Sequence, residues 1–354
     1  MKNFIKLLLC VFVLSVGKLQ AQQDPMYSQY MFNMLSINPA YTGSRETLSL
    51  TALYRMQWVG IEGAPKTFSF TADTPIKNQK MALGLNFVND KIGIAQNTVI
   101  NLSYAYRIMF SNEGMLSFGI QAGVNQYSAD YGSVIASRPQ NPNSAYPSTP
   151  DNAFAGSVKS WFPNFGFGVY YHTEKFYIGI ASPKMIKNNL KGDNSPTLDF
   201  TSYPNRQNRH IFLTTGYNFD LNNDITLKPS LLVKHVYGAP LALDINVNAW
   251  WKKIVGAGLS YRTGDAILLM LEFQASPEIH VGYAYDMTLS KLSGTNSGSH
   301  EIMLRYEPFA KKLKTNRSRL GYKKASFNSR SKKKIRRPGS NRKKIVRRRR
   351  RSIR

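Results

Sequence analysis

Side chains able to do chemistry are few in this 354-residue chain, and their spacing assembles no familiar reaction centre. The five histidines, His172, His210, His235, His280 and His300, fall on separate segments without metal-ligand spacing. His300 and Glu301 form "HE", but the second histidine that a zinc-protease helix needs is missing. "GAGLSYRTG" contains G-x-G without a third glycine in register and without a strand–helix unit around it, so it is no dinucleotide cradle. No nucleophile elbow occurs. Asp244 and Glu272 are the acids best placed for proton transfer, yet a polar wall is the simpler use for them. No catalytic site, metal site or cofactor is expected.

The only cysteine, Cys10, lies in "MKNFIKLLLCVFVLSVGKLQAQQ". That stretch has basic residues at Lys2 and Lys6, an apolar core over Leu7–Val16 and small or polar residues around Ala21. It reads as a secretory signal peptide, residues 1–21, with an apolar run well short of the roughly 20 residues of a spanning helix. Once it is removed, no thiol remains for disulfides, thiolate catalysis or metal binding. The chain is therefore expected to be exported and unstapled.

An exported chain with 20 Tyr, 19 Phe and no further long apolar run has two all-β destinations: a soluble sandwich or an outer-membrane barrel. From Glu46 to Phe309 it repeats an alternating strand followed by a turn signal, about fourteen times. Examples are "LSLTALYRM", "NLSYAYRIMF", "LALDINVNAW", "AILLMLEFQ" and "HEIMLRY". Even strand numbers suit closed bacterial barrels.

One face of these strands carries Leu48, Leu50, Tyr54, Leu102, Tyr104, Tyr106, Leu243, Ile245, Val247, Leu269, Leu271 and Phe273. The other carries Arg55, Arg107, Asp244, Glu272, Asp286 and Arg305. Parity alone fits both a sandwich core and a lipid-facing barrel wall. The connections favour the barrel. Even-to-odd turns ("SNEG", "HTEK", "LNN", "WKK", "ASP") are tight, whereas the longest excursions, 128–162, 183–206 and 290–299, are odd-to-even. Outer-membrane barrels alternate in this way, with short periplasmic turns and long outer loops. The expected architecture is a transmembrane antiparallel β-barrel over residues 46–309, with these six charges lining a polar lumen.

The charge is lopsided. Residues 311–354 hold 22 of the 47 Lys and Arg and none of the 20 acids, which leaves 25 basic and 20 acidic residues in the rest. The segment 310–354 lacks hydrophobic periodicity and repels itself, so it reads as a disordered polybasic tail. On an exported barrel, nucleic acid is not an expected partner. Envelope polyanions, lipid headgroups or acidic periplasmic proteins are, with Arg347, Arg348, Arg349, Arg350 and Arg351 as the densest tether.

Residues 22–45 remain. "DPMYSQYMFNMLSINPAYTG" is too apolar for a linker, yet it has neither a period of two nor one of 3.6. The words D-P-x-Y-S-Q-Y-M-F-N, N-P-A-Y-x-G at Asn38–Gly43, "YRMQW" at Tyr54–Trp58 and "APKTFSF" resemble the PorP/SprF family of the type IX secretion system. "GYAYDMTLSKLSG" extends the resemblance weakly toward Phe309. The basic tail lies outside the family pattern.

The resemblance implies an outer-membrane component of type IX export that receives or anchors the C-terminal domain of secreted surface proteins such as adhesins. It also implies contact with the periplasmic ring and the peptidoglycan-linked components of that machine, with gliding motility as a downstream process. On this reading Met26, Tyr27, Tyr30, Met31 and Phe32 fold into the lower lumen as a plug, or else pack at its rim. The competing reading is a passive porin or hydrophobic-solute channel.

Overall fold

The computed structural model describes residues 27–76, 79–110, 114–130, 157–186, 188–189, 206–207, 209–236, 239–290 and 292–310. The signal stretch, Met26, most of the two longest loops and Arg347–Arg351 lie outside the described residues. The chain divides into two units, Met1–Leu313 and Lys314–Arg354, and every described residue belongs to the first.

Fourteen antiparallel strands form one closed ring. They are β1 (Ser49–Met56), β2 (Lys66–Ile76), β3 (Met81–Ile92), β4 (Ala95–Met109), β5 (Met115–Asp130), β6 (Ser157–His172) and β7 (Phe176–Lys184). Then follow β8 (His210–Tyr217), β9 (Ile225–Val236), β10 (Ala242–Trp251), β11 (Val255–Arg262), β12 (Ala266–Gln274), β13 (Ile279–Thr288) and β14 (Ser299–Tyr306). Each strand pairs with the next, and Phe219–Asp220 continues β8 along β9. β14 returns to β1, placing Leu50 opposite Tyr306 and Met56 opposite His300. Closure leaves no sheet edge, the condition for strands to cross lipid.

Alternation explains which residue faces where. Leu102 is 66 % exposed, Leu271 59 % and Leu269 55 %, while Arg55, Arg107 and Asp244 on the opposite parity are 1 % exposed. An apolar exterior around a charged interior inverts the layering of a soluble sandwich. Exposed aromatics ring the wall near both ends. Phe110, Phe219, Trp251, Phe273 and Tyr306 stand at the short-turn end, and Tyr54, Phe68, Trp161 and Tyr261 toward the other. These match the interfacial girdles of membrane barrels.

Leu269→Arg is accordingly expected to reduce barrel assembly, since a lipid-facing Arg near the midplane costs about 2–4 kcal/mol. Its inward neighbour Met270 should accept Gln with a smaller loss. Heat-modifiable gel mobility of membrane fractions reads both, and equal loss at the two sites would contradict this register.

The loop-length alternation is less regular than the sequence suggests. Two odd-to-even connections are also tight, Gly93–Ile94 after β3 and residues 263–265 after β11. Glycines at φ +56 (Gly93) and φ +72 (Gly264) make the left-handed bends these turns require. The loop after β1, which carries part of the "YRMQW…APKTFSF" wording, is held by its neighbours. Gly93 N donates to Gly63 O (2.8 Å), Val59 N to Gly298 O (2.9 Å) and Ser297 N to Val59 O (2.7 Å).

Candidate functional site

The segment ahead of β1 runs inside the ring as three single-turn 3-10 helices, Tyr30–Phe32, Met34–Ser36 and Pro39–Tyr41. Such turns are too short to display a period, which is why the segment reads as neither helix nor strand. Tyr27, Tyr30 and Phe32 are buried. Met31 is half-buried and packs against both apolar clusters of the interior. In one cluster Tyr27, Tyr30, Met34, Ile37 and Ala40 meet Leu53, Tyr170, Phe212 and Leu232 of the wall. In the other, Phe32 meets Trp250 and Met303. Burial raises the phenols of Tyr30 and Tyr41, the second against the opposing pull of Arg45, so both stay neutral at physiological pH.

The wall is cut to fit. A Cβ on Gly119 of β5 would sit 2.2 Å from Ala40 N and 2.3 Å from the carbonyl carbon of Pro39. One on Gly168 of β6 would lie 2.1 Å from Asn38 Oδ1, and one on Gly282 of β13 would lie 2.1 Å from Gln29 Oε1. Glycine at these inward positions lets segment and wall touch.

Charges fasten the segment's start. Ser28 N and Gln29 N each donate to Glu301 at 2.8 Å, and Ser28 Oγ donates to Asp286 at 2.6 Å. Arg55 joins the two acids, 2.6 Å to Asp286 and 3.2 Å to Glu301, and also donates to Ser28 Oγ. Arg262 grips Asp244 through two nitrogens (2.9–3.0 Å) and donates to Tyr27 O at 3.3 Å. Four strands thus converge on three consecutive residues, and Asp244 of a fifth holds Arg262 in place.

The N-P-A-Y-T-G stretch is fastened separately. Asn38 Oδ1 caps its short helix by accepting from Ala40 N (2.9 Å), and its Nδ2 donates to Val169 O (3.2 Å). Gly43, at φ +75, donates from N to Asp73 (2.7 Å) and accepts at O from Arg107. Beyond it, Arg45 and Arg305 share Glu307 (3.2 and 3.3 Å), and both reach Phe32 O.

All six charges expected to line the lumen face inward and are buried. Five meet partners as described. Glu272 has no hydrogen-bond partner at Oε1 but lies within electrostatic reach of Arg305, Lys228 and Arg45. Sequence reasoning passed over Arg262, Glu301, Glu307 and Asp73, and also the inward glycines. Glu301 shares strand parity with Arg305, and that signal was available; Arg262 comes to face Asp244 only through the register of β11 on β10.

The segment also reaches further than the lower lumen. Tyr27 lies against Arg262, the last residue of β11, and Ser28 against Arg55 and Asp286 near the ends of β1 and β13. These strand ends lead into the odd-to-even connections. Gly43 lies beside Asp73 and Arg107 at the opposite end. The contacts with the charged wall pull it across the lumen.

The sequence matches the Type IX secretion system membrane protein PorP/SprF over residues 19–306, the whole ring included. The chain belongs to the PorP/SprF family. This PorP/SprF protein is an outer-membrane-type barrel by its own geometry. Among solved structures it is similar to a Pseudomonas aeruginosa FadL homologue (14 % identity, 83 % of this chain and 96 % of that chain, TM-score 0.44). It is also similar to the Ralstonia pickettii toluene transporter TbuX (9 %, 76 % and 91 %, TM-score 0.46). A third is the Acinetobacter baumannii outer-membrane protein Omp33 (8 %, 74 % and 99 %, TM-score 0.39). No curated protein matches the sequence.

Proposed function

We propose that this PorP/SprF protein is a non-enzymatic outer-membrane component of type IX secretion. It assists export or surface anchoring of cargo through the cargo's C-terminal domain, and its short-turn end faces the periplasmic machinery. The family match over residues 19–306 carries this reading. The interior supports it over a passive channel, because Tyr27–Gly43 occupies the lumen and is held there by ion pairs and steric fit. In this role the segment is a plug that keeps the barrel closed while it serves as a docking body. The basic tail would tether the barrel to an acidic periplasmic partner, in keeping with 22 positive and no negative charges over 311–354.

Deleting the gene should remove particular large proteins from the cell surface while leaving general permeability unchanged. Purified barrel should conduct ions weakly in planar bilayers. A strain lacking 311–354 should insert the barrel normally but lose envelope partners on pull-down at low salt. Unaltered surface proteins together with steady, large conductance would replace this reading with the passive channel.

A further inference from the structure

Beneath the lumen segment lies a cavity of about 500 Å³. Met31 and Phe32 roof it, and the strand ends and turns around Lys175, Asn218 and Lys253 bound it at the short-turn end. Tyr41, Tyr170 and Tyr177 give it an aromatic wall. Its deeper charges are three cations, Lys228, Arg45 and Arg305, against two buried carboxylates, Glu307 and Glu272, the second within electrostatic reach of all three. Lys228 holds its ammonium 4.6 Å from the centre of the Trp250 ring and feels the Glu272 carboxylate electrostatically, without a direct salt bridge among the described residues. Arg45 and Arg305, also on the lining, share the single carboxylate of Glu307. The acids of the lining, Glu174 and Asp220, are exposed at the mouth.

Two residues of this lining each carry a buried polar atom without a partner, Trp250 Nε1 and Asn248 Oδ1, the second turned toward Gly258 of the wall; the residues are 5 % and 2 % exposed. An indole N–H can only donate, so an acceptor is what satisfies it. An unpaired buried donor is costly, and beside an ammonium the best-matched acceptor carries negative charge.

We propose that this cavity binds an organic carboxylate. The anionic group sits between Trp250 Nε1–H and the Lys228 ammonium, and an apolar or ring-bearing body lies along the tyrosines under Met31 and Phe32. The carboxylate can belong to a small free acid or to the C-terminal residue of a polypeptide reaching in from the short-turn side.

The test is calorimetric titration of the intact protein in detergent with four probes. These are 4-phenylbutyrate, 4-phenylbutanol, and an acetylated hexapeptide ending in phenylalanine as the free acid or as the amide. Each acid is expected to bind about tenfold or more tightly than its neutral counterpart. Trp250→Phe, which keeps the ring under Lys228 but removes the N–H, and Lys228→Gln should each erase most of that preference. Heat-modifiable mobility confirms that both variants are folded. A peptide acid that binds well above phenylbutyrate identifies a polypeptide end as the occupant, and the reverse order identifies a small acid. Equal binding of acid and neutral probes by the unaltered protein overturns the proposal without recourse to any variant. So does absence of saturable binding by either acid, or an acid preference that survives both substitutions.

Discussion

Gly119→Leu is expected to expel the N-terminal segment from the barrel, or to prevent closure around it. The added Cβ alone would stand 2.2 Å from Ala40 N, and the atoms it meets are backbone, which cannot rotate aside as a side chain can. Even Gly119→Ala should therefore cost on the order of the 1–3 kcal/mol seen for overpacked cores. Leucine adds three more carbons where Pro39–Ala40 already fills the space. The check is limited proteolysis of purified protein, with barrel folding followed by gel mobility. The unaltered segment should resist cleavage between Tyr27 and Gly43, the Ala variant should be cut faster, and the Leu variant should be cut at once or fail to accumulate. Gly294→Ala, where an added Cβ meets nothing within 4 Å, is the control and should behave as the unaltered protein. Protection equal in all of these variants would show that the segment does not depend on this contact.

Arg55→Met should destabilise the lumen nearly as strongly. Its guanidinium neutralises Asp286 and Glu301, which are buried and hold the start of the segment. Removing one partner of a buried pair typically costs about 3–5 kcal/mol, because the remaining charge has neither water nor counter-ion. Here two acids are left facing each other, with only Arg262, 3.8 Å from Asp286, nearby. Urea unfolding in detergent should show a lower midpoint with an unchanged slope. Arg55→Met combined with Glu301→Gln should be less damaging than the sum of the single changes, since one orphaned charge is then absent. Additive losses would mean that the two residues act independently, contrary to the 3.2 Å contact.

The two experiments probe different supports for the same segment. One removes steric fit from β5, and the other removes charge from β1. If both free the segment while the ring still closes, the barrel is stable without its contents, and the segment's role lies in function rather than folding. If neither variant assembles, the segment acts as part of the core, as its apolar cluster with Leu53, Tyr170, Phe212 and Leu232 would allow.

The sequence by itself determined the wall of this protein. Strand periodicity is local: Leu269, Met270 and Leu271 declare their faces through neighbours one and two positions away. Fourteen such segments between turn signals were enough for the strand number, and the parity of Arg55, Arg107, Asp244 and Arg305 was enough for their inward direction. The interior was a matter for tertiary structure. Three-residue 3-10 turns have no period to detect, so the path of Tyr27–Gly43 was invisible, as was its reach to Arg262 and Asp286. The partners that hold it lie up to 273 positions away, as Ser28 and Glu301 do. Only the closed ring brings β1, β10, β11, β13 and β14 around one point, and only there does an inward glycine become a fitted surface or a lone arginine the counter-charge of two acids. Alternation tells a side chain which way to point; what it meets depends on closure, which joins the first strand to the last.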